Sequence, residues 1–110
     1  MSLTIRTVFG CTEAVIDEDG GLKRFYEVAH LLSDHPQIRF AAKIDDFDSI
    51  FWDFAYRSVG LTLHYNIYTG ISLYPQNCLQ AHAPENEAVL ELADFLETEL
   101  LVNAGRRFIV

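Results

Sequence analysis

The sequence is poor in cationic side chains and has no long apolar segment. Of its 110 residues, 8 are Lys or Arg and 16 are Asp or Glu, which gives a formal net charge of −8. Such a chain is not expected to bind nucleic acid, because affinity for that polyanion comes from cations that neutralise phosphates. Its apolar runs are also far shorter than the roughly 20 residues that cross a bilayer. We therefore expect neither a nucleic-acid partner nor a membrane partner.

Cysteine is scarce, with only Cys11 and Cys78 in the chain. One disulfide at most is possible, and because no other feature points to an oxidising compartment, the sequence predicts two reduced thiols. No basic segment followed by an apolar one opens the chain, so the predicted compartment is the cytoplasm. Cys78 and His82 have the spacing of two metal ligands, but a structural zinc site needs four. We expect no metal and no cofactor.

The hydrophobic residues, 50% of the chain, are enough for the core of a single domain over residues 1–110. Period-two alternation predicts strands over about 3–9, 14–16, 38–44, 49–57, 61–67 and 71–74. A helix remains an alternative for 49–57, because short apolar runs are ambiguous. Helical spacing predicts helices over about 21–33 and about 85–102. Gly105 is expected to end the second helix, and residues 106–110 to add an edge strand.

This order of elements predicts an α+β fold. We expect a two-layer sandwich in which an antiparallel meander sheet of about four to six strands carries both helices on one face. A three-residue loop, 68–70, would place Gly70 in the left-handed region and pair Ile67 with Ile71. A two-residue turn at Ser58 and Val59 would join the preceding pair of strands. The other face of the sheet is left open.

The open face holds the candidate catalytic residues. With the registers above, Asp53, His64 and Tyr74 form one cross-strand row, with Arg39 and Lys43 nearby. A carboxylate beside an imidazole would raise the pKa of the imidazole and orient it as a general base. The same contacts also occur as ordinary sheet-stabilising pairs. A small enzyme or ligand-binding domain that uses these three residues is therefore the alternative function.

Acidic and aromatic side chains indicate a different function, the binding of another protein. The second helix carries six acids and no Lys or Arg between Pro84 and Asn103, an arrangement that repels itself at i, i+4. A surface of this kind is complementary to a basic protein. Aromatic residues on an open face suit anchors of an interface. The candidate partner-binding residues are Asp45, Asp46, Asp48, Phe51, Tyr74, Glu87, Glu91 and Asp94.

The segment from Leu61 to Ile71, with the sequence LTLHYNIYTGI, carries a resemblance to known proteins. A strand with Leu-His-Tyr, an aromatic-x-Gly turn, a return strand and a closing helix resemble a group of small bacterial α+β proteins of unknown function over about residues 47–97. In predicted shape and acidity the chain is also similar to the immunity proteins that neutralise bacterial toxins. The resemblance implies a bacterial protein that binds a basic toxin or effector. A hydrophobic edge or the open face would alternatively pair two copies into a homodimer.

Overall fold

One antiparallel sheet of six strands forms the frame of the molecule. The computed structural model describes residues 3–8, 10–46, 48–78 and 81–109, with the backbone alone at residues 8 and 101–109. The spatial order of the strands is β1-β2-β6-β5-β4-β3. The elements in chain order are β1 (Thr4–Val8), β2 (Cys11–Asp17), α1 (Leu22–Ser33), β3 (Ile38–Asp45), β4 (Ser49–Tyr56), β5 (Val59–Asn66), β6 (Gly70–Pro75) and α2 (Ala83–Ile109).

Both helices cover the same face of the sheet, which confirms the predicted α+β sandwich. Alternation along β5 and β6 directs Leu61, Leu63, Ile71 and Leu73 toward the helices, and all four are fully buried. They share one core with the apolar stripes of the two helices. Phe25 lies at the centre of the α1 stripe and packs edge-on against Trp52, with ring centroids 5.1 Å apart. The ambiguous segment 49–57 is therefore a strand, β4, which contributes Trp52 to this core.

Helix α2 is longer than its sequence pattern predicts. It continues through Gly105 to Ile109, so the prediction that Gly105 ends the helix and that residues 106–110 form an edge strand is wrong over 106–109. A single glycine costs a helix about 1 kcal/mol relative to alanine but does not break its hydrogen bonds. No proline follows Gly105 to stop the helix.

The hairpin between β4 and β5 turns one residue earlier than predicted. Its two central residues are Arg57 and Ser58, with φ of 50° and 69°. This left-handed pair matches a type I′ turn, in which Asn-Gly is the usual sequence. The turn moves the register by two residues, because Asp53 now lies opposite Thr62 and Phe51 lies opposite His64.

The β5–β6 hairpin is also displaced by two residues. Gly70 has the expected positive φ, 83°, but Asn66 lies opposite it and Tyr65 lies opposite Ile71. The Asn66 side-chain oxygen accepts hydrogen bonds from the backbone N–H of Tyr68 at 2.8 Å and of Thr69 at 3.2 Å. This Asx turn begins the loop one residue before the predicted position. A Cβ atom on Gly70 would collide with the backbone carbonyl of Asp17, so the site requires glycine.

The structure joins Cys11 and Cys78 in a disulfide, so the prediction of two reduced thiols is wrong. The two residues are 67 apart in sequence, but the fold brings the start of β2 beside the segment that follows β6, with a Cα–Cα distance of 5.2 Å. That separation suits a disulfide. Asn86 also connects α2 to the start of β2. Its side chain donates a hydrogen bond to Gly10 O at 2.7 Å and accepts one from Thr12 N at 3.0 Å. Contacts that distant in sequence are not visible in a pattern of local periodicity.

Candidate functional site

The face of the sheet opposite the helices contains the predicted candidates from β4, β5 and β6. Alternation places Phe51, Asp53, Thr62, His64 and Tyr74 on this open face. They do not form the predicted row, because each hairpin register is displaced by two residues. One row contains Asp53, Thr62 and Tyr74, and the next contains Phe51, His64 and Ser72. Two-residue shifts preserve the face of every side chain and change only its neighbours.

Asp53 hydrogen-bonds to Thr62 and not to His64. The Thr62 hydroxyl donates to Asp53 Oδ1 at 2.6 Å, and Thr62 is itself buried. A carboxylate that orients a general base must accept a hydrogen bond from the imidazole. The proposed aspartate–histidine pair is therefore replaced by an aspartate–threonine pair, which is an ordinary cross-strand bond in a sheet.

His64 lies in an aromatic environment. Its ring stacks on Phe51, with centroids 4.3 Å apart and planes 9° from parallel, and meets the Tyr74 ring edge-on at 5.9 Å. The Nε2 atom is buried and has no hydrogen-bond partner among the described residues. Burial lowers the pKa of His64, and the nearby Glu13 carboxylate opposes that shift in part. The side chain is therefore neutral at neutral pH.

Tyr74 is poorly suited to lose its proton. Desolvation by burial, reinforced by the carboxylates of Glu13 and Asp53, raises the pKa of Tyr74 to about 12. An anion formed there would lie near two negative charges in a partly buried position. The His64 and Tyr74 rings thus contribute an aromatic surface at neutral pH, with little capacity to exchange protons.

A groove of about 470 Å³ lies on the open face beside this aromatic surface. The turn between β5 and β6 forms one side, and the segment that connects β2 to α1 forms another. Asp53 and Tyr74 do not line it. The lining residues are Arg6, Glu13, Val15, Glu18, Asp19, His64, Tyr68, Thr69 and Ser72.

The groove carries an excess of negative charge. Arg6 is the only Lys or Arg among the described residues that line the groove, and its Nε lies 2.5 Å from the Glu13 carboxylate. Glu18 and Asp19 are exposed, and neither carboxylate has an ion-pair partner within the described part of the chain. Tyr68 lines the same groove with 79% of its surface exposed. An aromatic ring and two unpaired carboxylates therefore face solvent together.

The acids of α2 form a stripe on the other side of the molecule. Glu87, Glu91, Asp94 and Glu97 are exposed at intervals of three and four residues, so they share one helix face. Glu91 accepts hydrogen bonds from the Tyr56 hydroxyl at 3.1 Å and from Arg57 at 3.4 Å. The sheet separates this stripe from Phe51 and Tyr74, so the predicted charges and anchors do not belong to one surface.

The predicted acidic turn with Asp45, Asp46 and Asp48 is a third, separate region. It lies between β3 and β4, where Asp46 N donates to Ser49 O at 2.7 Å and Ile67 N donates to Asp48 O at 3.1 Å. The Tyr56–Glu91 contact lies at the opposite end of β4, roughly 24 Å away for eight extended residues. The turn therefore does not extend the α2 stripe, although it borders the loop that contains Tyr68.

The sequence predicts that Glu18, Asp19 and Tyr68 lie in turns and groups Tyr68 with the aromatic residues of the open face, but no local pattern links Tyr68 to the two acids. The link is Gly70: its close approach to the carbonyls of Asp17 and Glu18 packs the β5–β6 turn against the turn before α1. A glycine two residues after an aromatic residue in a tight turn is the available signal in the sequence, but it does not identify the segment that the turn contacts.

No family model, curated protein or solved structure matches this chain, so the resemblance drawn from the LTLHYNIYTGI segment stays a prediction. Within the described residues there is no group of three or more His, Cys, Asp or Glu side chains arranged to hold a metal ion. Among the same residues, no helix has the length and apolar character needed to span a membrane.

Proposed function

We propose that this protein acts by binding a basic segment of another protein in the groove on the open face of its sheet. The observation that carries the proposal is that the exposed Tyr68 ring lines the same groove as the Glu18 and Asp19 carboxylates, which have no ion-pair partner among the described residues. A tyrosine supplies a large contact area at a small entropic cost, and it is enriched among the residues that dominate binding energy. Carboxylates at the rim attract a basic partner and select against an acidic one.

The aromatic surface of Phe51, His64 and Tyr74 extends the groove toward the centre of the sheet. His64 belongs to both regions, because it lines the groove and stacks on Phe51. A neutral imidazole in this position accepts apolar contact without the cost of desolvating a charge. The partner class that fits is a basic protein, and the resemblance to immunity proteins predicted from the sequence suggests a bacterial toxin or effector as its representative.

The cellular compartment is a separate part of the proposal. The sequence predicts the cytoplasm, but thiols there are normally kept reduced, whereas the Cys11–Cys78 bond is typical of an oxidising compartment. Thiol titration of protein isolated under acid quench from its source cell distinguishes the cytoplasm from an oxidising compartment. Two free thiols per chain support the cytoplasm, and none supports an oxidising compartment.

The alternative, an enzyme or ligand-binding domain built on Asp53, His64 and Tyr74, has less support from the geometry. Asp53 bonds Thr62, and burial opposes a charge on His64. If a substrate screen finds an activity, the enzyme hypothesis predicts that a His64→Ala variant loses that activity. Unchanged activity in that variant would exclude His64 as the base.

The experiment for the binding proposal compares two surfaces with the same change of charge. Immobilised wild-type protein, a Glu18→Lys/Asp19→Lys variant and an Asp94→Lys/Glu97→Lys variant are exposed to source-cell lysate at low and high salt. We expect the wild type and the α2 variant to retain the same basic protein, released by salt, and the groove variant to lose it. Retention by the groove variant with loss by the α2 variant would place the interface on the helix and contradict the proposal.

A second variant tests the aromatic half of the groove. Tyr68→Ala leaves the net charge unchanged and removes an exposed ring, so folding should be unaffected. For the basic protein recovered above, we expect this substitution to weaken binding by about tenfold or more, as for a residue at the centre of an interface. Leu90→Ala, at an exposed position of α2, is the matched control. Equal binding by Tyr68→Ala and wild type would remove Tyr68 from the interface.

A further inference from the structure

The second half of the outer strand β3 is regular, and within the described residues no strand pairs with its free side. β3 lies at the edge of the sheet, and residues 41–46 are all exposed. A bulge between Phe40 and Ala42 interrupts its pairing with β4, with Ala41 as the extra residue. Bulges commonly protect sheet edges from further pairing. Here the bulge lies before the segment 42–45, which continues as a regular strand.

The direction of the backbone groups in this segment follows from its pairing with β4. Asp46 N donates to Ser49 O, so the backbone groups of Asp46 and, by alternation, of Ile44 face β4. The N–H and C=O groups of Lys43 and Asp45 then face away from the sheet. A second antiparallel strand can hydrogen-bond to these outward groups of Lys43 and Asp45, which lie on either side of Ile44.

We infer that a second copy of this chain pairs with β3 about a two-fold axis at Ile44. In that register Ile44 lies opposite the partner's Ile44, and Lys43 lies opposite the partner's Asp45. Each Lys43–Asp45 pair exchanges two backbone hydrogen bonds, which gives four across the axis. The two sheets join into one continuous twelve-stranded sheet.

The side chains agree with this register on both faces. Lys43 lies opposite Trp52 and Asp45 opposite Ile50, so both project from the helix-covered face and meet across the axis as opposite charges. The bulge at Ala41 places Lys43 on the helix-covered face. Without the bulge, Lys43 would share the open face with Arg39, as the sequence predicts. Neither charge has an ion-pair partner among the described residues. The Lys43 ammonium lies over the Trp52 ring, 4.2 Å from its centroid, and a second copy supplies the carboxylate that this ring does not provide.

Ile44 supplies the apolar contact on the open face. It is 56% exposed, an unusual position for isoleucine on an unprotected edge. Ile44 lies beside Phe51 in the register, so pairing creates a row of Phe51, Ile44 and the same two side chains of the second copy. An unrelated strand would satisfy the backbone groups but not the reciprocal Lys43–Asp45 register. We expect association at micromolar or higher concentration, because the paired segment is short.

Cysteine cross-linking tests the axis directly. Opposite residues of a non-hydrogen-bonded pair have Cα atoms at a separation that suits a disulfide. Ile44→Cys is therefore expected to give a covalent dimer linked through position 44 on mild oxidation, as identified by mass spectrometry of the linked peptides. Ile5→Cys, an exposed position on the other edge strand, is the control and should remain monomeric. Absence of the 44–44 link, or equal linkage in the control, would overturn the proposal.

Charge reversal tests the register by sedimentation equilibrium. Lys43→Glu and Asp45→Lys each place like charges opposite one another, and we expect each to weaken association by about tenfold. The double variant Lys43→Glu/Asp45→Lys restores opposite charges and should restore wild-type association, which loss of folding cannot imitate. A wild type that stays monomeric up to its solubility limit would contradict the proposal. So would a dimer that none of the three variants changes.

Discussion

The two faces of the sheet are stabilised by different means. On the covered face, burial against the helices dominates, and Leu61, Leu63, Ile71 and Leu73 expose none of their surface. On the open face, specific bonds dominate, such as the Asp53–Thr62 hydrogen bond and the Arg6–Glu13 ion pair. The Cys11–Cys78 disulfide belongs to this second group, since Cys11 shares its strand face with Glu13. Apolar residues alone can specify the covered face, whereas the open face is stabilised by specific hydrogen bonds and ion pairs. Because no helix covers it, the open face can carry a binding site.

Removal of the disulfide is expected to have the largest effect. The bond closes a loop of 67 residues, for which constraint of the unfolded chain gives about 4 kcal/mol of stability. A Cys11→Ser/Cys78→Ser variant should unfold at a correspondingly lower urea concentration with an unchanged structure. Wild-type protein under reducing conditions should behave as this variant does. Equal stability of the oxidised wild type and the variant would show that the bond does not stabilise the fold.

A truncation on each face separates burial from surface contacts. Leu63→Ala removes a fully buried side chain and should lower the free energy of unfolding by about 3 kcal/mol, because it leaves a cavity beneath the helices. Ser72→Ala, on the neighbouring strand of the open face, should change it by less than about 0.5 kcal/mol. Urea denaturation of both variants measures the difference. Similar losses would mean that the open face is packed as tightly as the core.

The pH dependence of stability tests the environment of His64. Burial lowers the pKa of His64 below its ordinary value of 6.5. As the pH falls through 6.5, the unfolded chain therefore takes up a proton before the folded chain does, and the stability contribution of the neutral ring is lost. In His64→Gln this decrease should be smaller, as measured by urea denaturation at several pH values. His82→Gln, at an exposed position, is the control and should follow the wild type.

The sequence predicts the face of each candidate residue on β4, β5 and β6 but not its partners. Strict alternation in β5 and β6 identifies Leu63 as core and His64 as open face, because a period of two does not depend on the register. The pairing of His64 depends on the turn, and the β4–β5 turn uses Arg57 and Ser58 in a conformation for which sequence favours Asn-Gly. Asp53 and Tyr74 therefore share a row as predicted, whereas His64 lies on the predicted face but in the neighbouring row.

Contacts between distant segments were the other part that the sequence did not predict. The groove depends on the packing of the β5–β6 turn against Asp17 and Glu18, and the disulfide depends on the meeting of β2 with the segment after β6. Both are consequences of strand order, in which β6 lies between β2 and β5. Local periodicity specifies the elements but not that order, so Tyr68 and Glu18 could not be assigned to one site.

The β4–β5 turn itself provides the smallest and most direct test of the register. Ser58 has a φ of 69°, a conformation that disfavours residues with a Cβ atom and that glycine adopts without strain. Ser58→Gly should therefore raise the free energy of unfolding, by up to about 1 kcal/mol, while Asp53 stays opposite Thr62. Ser33→Gly, at the last residue of α1, is a control in which glycine should instead destabilise. If Ser58→Gly lowered stability, the turn would not have the left-handed conformation that separates Asp53 from His64.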